Sequence, residues 1–383
     1  MTSKQKKQRS VLGKITVALL TILALAGFAA MVMSVVSCYI SPKTFVWASF
    51  FGLAFWEVFF FNCLVLLLLV LMWSKKAWIS VLALLVAIPG LSKSYAFGTP
   101  IEEKGSIRVM SYNIHNFAHV DGETSKVDFV NEVVKEVSEQ SPDVLCLQEF
   151  ASSFKSGSTR QQCIEMFAQA SGYPYVYYNL KRNFGGNVIF SRYPLQKVPD
   201  DTGFGKENTY GVMVSVDAGA KGKFYVANVH LLSYMLTDEE IGSLPDVMSE
   251  EKDTVRKTVV NKLRYAFVKR SDEIKEVVEG MPKVDAPVIV CGDFNDAPLS
   301  YICRQMRKAG FRDTFVQVGK GIMPTYGGKL PLLRIDYVWG NERVKPLRFN
   351  CIKRKISDHY PVVLDFKVGS NKEIENNKET ETI

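Results

Sequence analysis

The chain has 383 residues, enough for one large domain with an appendage or for two ordinary domains. Its formal net charge is +8, yet nine of its 47 basic residues and only one of its 39 acids, Glu57, precede residue 99. The remainder is therefore formally neutral, so net charge gives no argument for a nucleic-acid binder; the basic excess flanks apolar segments, where Lys and Arg set membrane orientation.

Residues 1–98 read as a membrane region, with apolar stretches at about 15–40, 45–73 and 77–97. The first two are long enough to cross about 30 Å of hydrocarbon. The first is too long, and too closely followed by another, for a cleaved signal sequence. The third carries Pro89 and Lys93 and reaches spanning length only by continuing to Phe97, so two or three transmembrane helices are expected. Lys4, Lys6, Lys7, Arg9 and Lys14 place the N-terminus in the cytoplasm, and Lys75–Lys76 place the second connection there. Three spans then put the rest of the chain on the outer face of the membrane. Glu57 inside the second stretch is costly in lipid unless it has a function, stays neutral or faces Asn62.

Residues 99–369 read as one mixed α/β domain. Strands are expected at 106–111, 144–147, 188–190, 212–216, 224–229 and 288–291, where short apolar or β-branched runs lie between turn residues. Helices are expected at 126–138, with apolar residues at 127, 130, 133, 134 and 137, at 161–170, and near 250–278. The coexistence of alternating and hairpin-like strands favours two layered sheets covered by helices. Residues 233–282 form a charged, mostly helical insertion with turns around Gly242–Pro245, and 370–383 form a polar, disordered tail. The seven cysteines show no zinc spacing, and their odd number opposes a fully paired disulfide framework.

Six polar motifs follow or head apolar runs: Ser111-Tyr-Asn113, Leu147-Gln148-Glu149, Asn228-Val-His230, Gly292-Asp293-Phe-Asn295, Ile335-Asp336-Tyr337 and Ser357-Asp358-His359-Tyr-Pro. Their carboxylates and amides are hard oxygen donors, suited to Mg²⁺ or Mn²⁺ rather than zinc. The i,i+2 spacing of Asp293 and Asn295 would send both side chains to one side of an extended turn.

In this order the motifs resemble the endonuclease/exonuclease/phosphatase superfamily over about residues 106–368. Gly186-Asn-Val-Ile-Phe-Ser-Arg192-Tyr-Pro and Thr325-Tyr326 are further family-like pieces. The resemblance implies a four-layer α/β/β/α sandwich and a divalent metal, Mg²⁺ or Mn²⁺. By similarity, Asn113, Glu149 and Asp358 would belong to the metal site. Asp293 would activate the attacking water, and Asn295 would hold that water or a phosphate oxygen. His359, oriented by Asp336, would face the scissile phosphate, while His230 would protonate the leaving oxygen. Asn113, Asn295 and His359 would touch substrate. His230 separates the chain from the abasic-site nucleases, which generally lack it. Arg192 reads as structural, Arg182 and Arg334 as candidate phosphate contacts, and His115 and His119 as loop histidines near the rim.

The implied activity is metal-assisted hydrolysis of a phosphodiester or phosphomonoester by a membrane-anchored enzyme. The substrate is a lipid head group, a small molecule or, in a nuclease reading, DNA or RNA. A non-catalytic binding protein of this fold would be marked by a lost metal carboxylate, and none is lost. A transporter or sensor built around Glu57 would need more than two or three spans. No protein partner can be inferred.

Overall fold

The computed structural model describes residues 11–179, 186–198, 204, 210–236, 240, 253–328 and 332–369. The expected turns at 242–245, Arg182 and the 370–383 tail lie outside the described residues. The chain divides into two units, one of residues up to Ser94 with Leu299–Tyr301, the other of Tyr95–Pro298 with Ile302 onward.

The first unit is helical. Helix α1 (Val11–Val36) continues as a turn to Tyr39, giving 29 residues long and apolar enough to cross a bilayer. Helices α2 (Trp47–Leu53) and α3 (Phe55–Leu71) meet at 68°, and Lys75–Val86, containing α4 (Trp78–Val86), meets α5 (Ile88–Ser94) at 42°. Each pair has spanning length only when taken together. Pro89 accounts for the second bend, because it has no N–H for the Leu85 carbonyl and its ring crowds that oxygen. Asn62 does not face Glu57: it is buried and donates to the Gly27 carbonyl at 3.0 Å, while Glu57 is exposed on this unit. The third stretch stops at Ser94, because Ala96 and Phe97 form a short strand, β1, of the second unit.

Two six-stranded sheets make up most of the second unit. Sheet I has the order β13 (Val344–Cys351), β14 (Val362–Val368), β2 (Ile107–Asn113), β3 (Val144–Gln148), β5 (Val188–Ser191), β4 (Tyr175–Tyr178). Sheet II has the order β10 (Arg312–Asp313), β12 (Asp336–Gly340), β9 (Val288–Asp293), β8 (Lys223–His230), β7 (Gly211–Asp217), β6 (Leu195–Lys197). Among the described strands only β2–β3 and β8–β9 are parallel; β1 pairs separately with β11 (Lys320–Gly321).

Alternation along the strands decides which side chains meet. Ile107 and Val109 of β2 join Cys146, Ile189, Val226, Ile289, Cys291 and Leu364 between the sheets. Met110 and Tyr112 point the other way, with Leu145, Leu147 and Phe190, against α6 (Lys126–Gln140) and α7 (Arg160–Ser171). Strands buried on both faces read as unbroken apolar runs, and each fully buried Val, Leu, Ile or Phe contributes about 1.5–3 kcal/mol. Ser125 caps α6 by accepting from the Asp128 N–H, and Thr159 and Gln162 form a capping box on α7. On the side of sheet II lie α8 (Asp253–Glu279), within the expected insertion, and α9 (Tyr301–Lys308), whose Arg307 sits over the buried Trp339. A short helix, α10 (Thr314–Val318), follows β10. This is the mixed α/β architecture of two sheets packed against helices that the sequence implied. None of the seven cysteines forms a disulfide.

Candidate active site

Strand register assembles the polar motifs at one rim of the sandwich. Asp293, the last residue of β9, pairs with His230 of β8 on one side and Asp336 of β12 on the other. In sheet I, Asn113 ends β2 beside Gln148 of β3, so Glu149 emerges next to it. A cavity of about 240 Å³ opens there, lined among others by Glu149, Asp293, Asn295, Asp358 and His359.

Asn113 links the sheets by donating Nδ2 to Glu149 Oε1 at 2.9 Å and to Asp293 Oδ2 at 3.0 Å. Its oxygen, expected at the metal, is instead turned to the His115 N–H at 3.0 Å. Asp293 Oδ1 accepts from the Asn295 N–H at 2.8 Å. Asn295 Nδ2 is shared between Asp293 Oδ2 and the Leu231 carbonyl, both at 3.0 Å. With both amide hydrogens engaged, Asn295 keeps only its oxygen to offer, which suits a water rather than a phosphate oxygen. These two residues meet through a left-handed Asn295, φ 52°, and not through the extended alternation expected from their spacing.

His359 Nδ1 lies 2.9 Å from Asp336 Oδ2, and Nε2 lies 3.6 Å from Asp293 Oδ2. Burial disfavours the imidazolium, but Asp336 and Asp293 outweigh it and hold the ring well above its ordinary pKa. Burial also pushes the Asp293 carboxyl up; Asp336 adds to this, while His359 and His230 oppose it. His230 Nε2 is 3.6 Å from Glu149 Oε1 and 3.7 Å from Asp293 Oδ2, and neither ring nitrogen has a hydrogen-bond partner among the described residues. An orphaned, largely buried imidazole is costly unless something else engages it.

Among the described residues the tightest group of metal-capable side chains is Asp293, Asp336 and His359. Within it His359 is hydrogen-bonded to Asp336 through Nδ1, and its Nε2 lies 3.6 Å from Asp293, so the ring bridges two carboxylates. Glu149 and Asp358 face the cavity with hard oxygens and have no arginine or lysine ion-pair partner among the described residues, so the donor set fits a divalent cation at that side.

Backbone strain gathers at the same place. Nine non-glycine residues have positive φ among those described, and His115, Glu149, Met235 and Asn295 of these line the cavity. Such conformations cost about 1–3 kcal/mol each and persist only where their surroundings over-determine them. The His115–Phe117 turn is held by the Phe117 ring, packed edge-on against Phe129, Phe150 and Phe154, and by Ser152 Oγ donating to Asn116 Oδ1 at 2.8 Å.

His115 thereby reaches the cavity, with Nδ1 3.5 Å from Asp358 Oδ1, whereas His119 turns away to Asp121 and Glu132. Arg334, a candidate phosphate contact by sequence, is instead buried at 2.7 Å from Asp313 and stacked on Phe315 and Tyr337. A carboxylate in hydrogen-bond contact neutralises it. Arg192 is exposed, its N–H bonded to the Asp143 carbonyl.

Three features add detail to motifs and segments that the sequence named without placing their side chains. Tyr326 stands edge-on to His359 at 5.4 Å. Ser233–Leu236 line the cavity. Behind it, Gln148 Nε2 donates to Asn228 Oδ1 at 2.7 Å, and Asn228 Nδ2 donates to the Leu147 and Val188 carbonyls, locking one sheet to the other. Gln148 and Asn228 sat inside recognised motifs, which was the only signal available for them.

The model of the endonuclease/exonuclease/phosphatase family matches residues 110–359, and the chain belongs to that family, whose members are generally phosphoester hydrolases dependent on divalent metal. A second family model, of a domain of unknown function, matches residues 15–94. Comparison with curated proteins gives no match. Similar solved structures include an endonuclease/exonuclease/phosphatase from Beutenbergia cavernae, with 22% identity and TM-score 0.49, covering 69% of this chain and 72% of that one. The human Nocturnin catalytic domain with bound sulfate shares 19% identity at TM-score 0.47, covering 70% and 96%. An endonuclease/exonuclease/phosphatase from Bacteroides vulgatus shares 14% at TM-score 0.44, covering 69% and 100%.

Proposed function

We propose that the chain is a membrane-anchored, Mg²⁺-dependent phosphoesterase, with residues 1–98 as the anchor and 99–369 as the catalytic domain. The observation that carries this is the convergence of Asn113, Glu149, His230, Asp293, Asn295, Asp336 and His359 from both sheets onto one rim. Glu149 and Asp358 would hold the cation, whose contribution when bound is to neutralise phosphate charge and to stabilise the charge that builds up during attack. Asp293 takes the proton of the attacking water; burial raises its pKa toward the working range of a general base. Asn295 orients that water through its free oxygen. His359, kept cationic by Asp336, donates to the phosphate oxygens as charge accumulates on them. His230, with neither ring nitrogen engaged by the described residues, protonates the leaving oxygen.

Three crossings would carry the domain to the outer side of the membrane, since Lys75–Lys76 favour a cytoplasmic second connection. A topology reporter fused after residue 98 checks this: cytoplasmic signal would contradict it. The activity is tested with the full chain in detergent and Mg²⁺, on DNA, RNA, phospholipid, inositol phosphates and a chromogenic phosphodiester. Hydrolysis of at least one, arrested by EDTA, is expected. No hydrolysis of any, together with no Mg²⁺ binding, would overturn the reading.

A further inference from the structure

Helix α8 carries two buried charged side chains that the mechanism above does not use. Arg270 and Glu273, three residues apart and so on one helical face, are both buried. Arg270 Nη1 donates to the Leu232 carbonyl at 2.9 Å, and Glu273 Oε2 accepts from the Leu232 N–H at 2.8 Å. One backbone residue thus has both its polar groups gripped by one helix. Arg270 Nη2 lies 3.5 Å from Asp296 Oδ2, and its guanidinium covers the Tyr234 ring, 4.2 Å from the centroid.

Both ends of this grip adjoin the cavity. Leu232 stands two residues after His230 and directly before Ser233–Leu236, which line the cavity; Asp296 directly follows Asn295. Neither Arg270 nor Glu273 is itself part of the lining. Packing alone does not call for this arrangement, because burying ions is costly and apolar side chains of similar volume generally serve a core at least as well. What the charged pair adds is directional hold on the loop backbone one residue beyond its last link to β9, where the Leu231 N–H bonds the Asp293 carbonyl at 2.9 Å.

We infer that Arg270 and Glu273 are positioning residues that fix the Leu232 backbone, and through it set the distance between the Ser233–Leu236 wall and the Asp293–Asn295 turn. The inference rests on the reading of this cavity as the phosphoester site, and it narrows the substrate class. Tyr234, Met235 and Leu236, with Leu333 and Ile335, give the cavity an apolar side next to its carboxylates and histidines. That lining suits a phosphoester whose substituent beside the phosphorus is apolar or aromatic, and the clamp holds the wall against which such a group would rest.

The test uses the full chain in detergent with three forms: wild type, Glu273→Leu, which removes the acceptor for the Leu232 N–H, and Glu273→Gln, which retains one. With a nitrophenyl phosphodiester, Glu273→Leu should raise KM about tenfold while changing kcat less than about threefold, and Glu273→Gln should return KM to within about twofold of wild type. Hydrogen exchange of amides 231–236 should speed up in Glu273→Leu, with β9 amides unchanged, and be restored in Glu273→Gln. Unchanged KM and unchanged exchange at 231–236 would overturn the inference. So would exchange accelerated equally in β9, which would mark Glu273 as a general stability residue. If the wild type hydrolyses nothing, the functional reading fails on its own, and the exchange measurement alone decides whether the clamp exists.

Discussion

The two ends of the sheets carry cavities of opposite character. At the rim where β2 begins, a cavity of about 430 Å³ is lined by Ile101, Glu102, Glu103, Lys104, Ser106, Arg108, Leu347, Arg348 and Asp365. Five of its six charged residues, all but Lys104, are paired among the described residues: Arg108 with Asp365 at 2.6 Å, Arg348 with Glu102 at 2.8 Å, and Glu103 with Lys345 and Lys367 at 2.9 and 2.8 Å. The lysines hold the Glu103 carboxyl below its ordinary range. At the rim where β2 ends, the cavity is smaller, yet its carboxylates and histidines are crowded, with Asp293 and His359 buried, its backbone is strained, and His230 has no hydrogen-bond partner among the described residues. Size therefore does not distinguish the end proposed as the active site. What distinguishes it is the combination of buried acids beside imidazoles, strained backbone and an unpartnered histidine, a combination that marks functional sites.

The sharpest way to break this contrast is to change the second rim. Glu149→Gln, Asp293→Asn and His359→Ala should each lower turnover at least about a thousandfold, while far-UV circular dichroism stays that of wild type. Rates near wild type in all three would remove the site. Next in size is Gly292→Ala. Gly292 has φ 135°, and a Cβ there would overlap the Val229 carbonyl oxygen. The substitution should cost on the order of 3 kcal/mol in stability and abolish activity, read as a fall in the denaturation midpoint.

The first rim should behave differently. Arg108→Met removes a partly exposed ion pair, so a loss of about 1 kcal/mol is expected, with kcat of the folded protein unchanged. A large drop in kcat would show that the two rims are coupled. The smallest effect is in pH dependence. The folded-state pKa of His359 lies above its unfolded value, so its imidazolium stabilises the fold fully below about pH 6.5 and loses that contribution as pH rises through the folded pKa. The stability difference between wild type and His359→Gln in EDTA should be flat at low pH and decline above it; a difference that grows with pH would contradict the assignment.

Much of this contrast can be read from sequence, though unevenly. The central strands β2, β3, β5, β8 and β9 and helices α6, α7 and α8 announce themselves by apolar runs and 3.6-residue spacing. The short edge pieces β4, β6, β10 and β11 do not, because a few residues with one wet face carry no pattern. The polar motifs named the residues of the rim but not their orientations. Nothing in the sequence shows that Asn113 turns its amine to two carboxylates, that Asn295 adopts a left-handed conformation, or that Asp313 waits for Arg334. Those depend on register and on side chains from elements far apart in the chain. The bends at Ala54 and Ala87 likewise hide inside hydropathy, which measures length and apolarity but not straightness.

The central claim is that Glu149 and its neighbours hold a divalent cation beside the Asp293–His359 pair and hydrolyse a phosphoester there. The most direct measurement is hydrolysis of a chromogenic phosphodiester across a Mg²⁺ titration, by the full-length wild type and Glu149→Gln in parallel. Wild-type rate should rise from zero in EDTA and saturate, and the variant should show no saturable rise in the same range. Coincident curves, or wild-type turnover that persists in EDTA, would contradict the account.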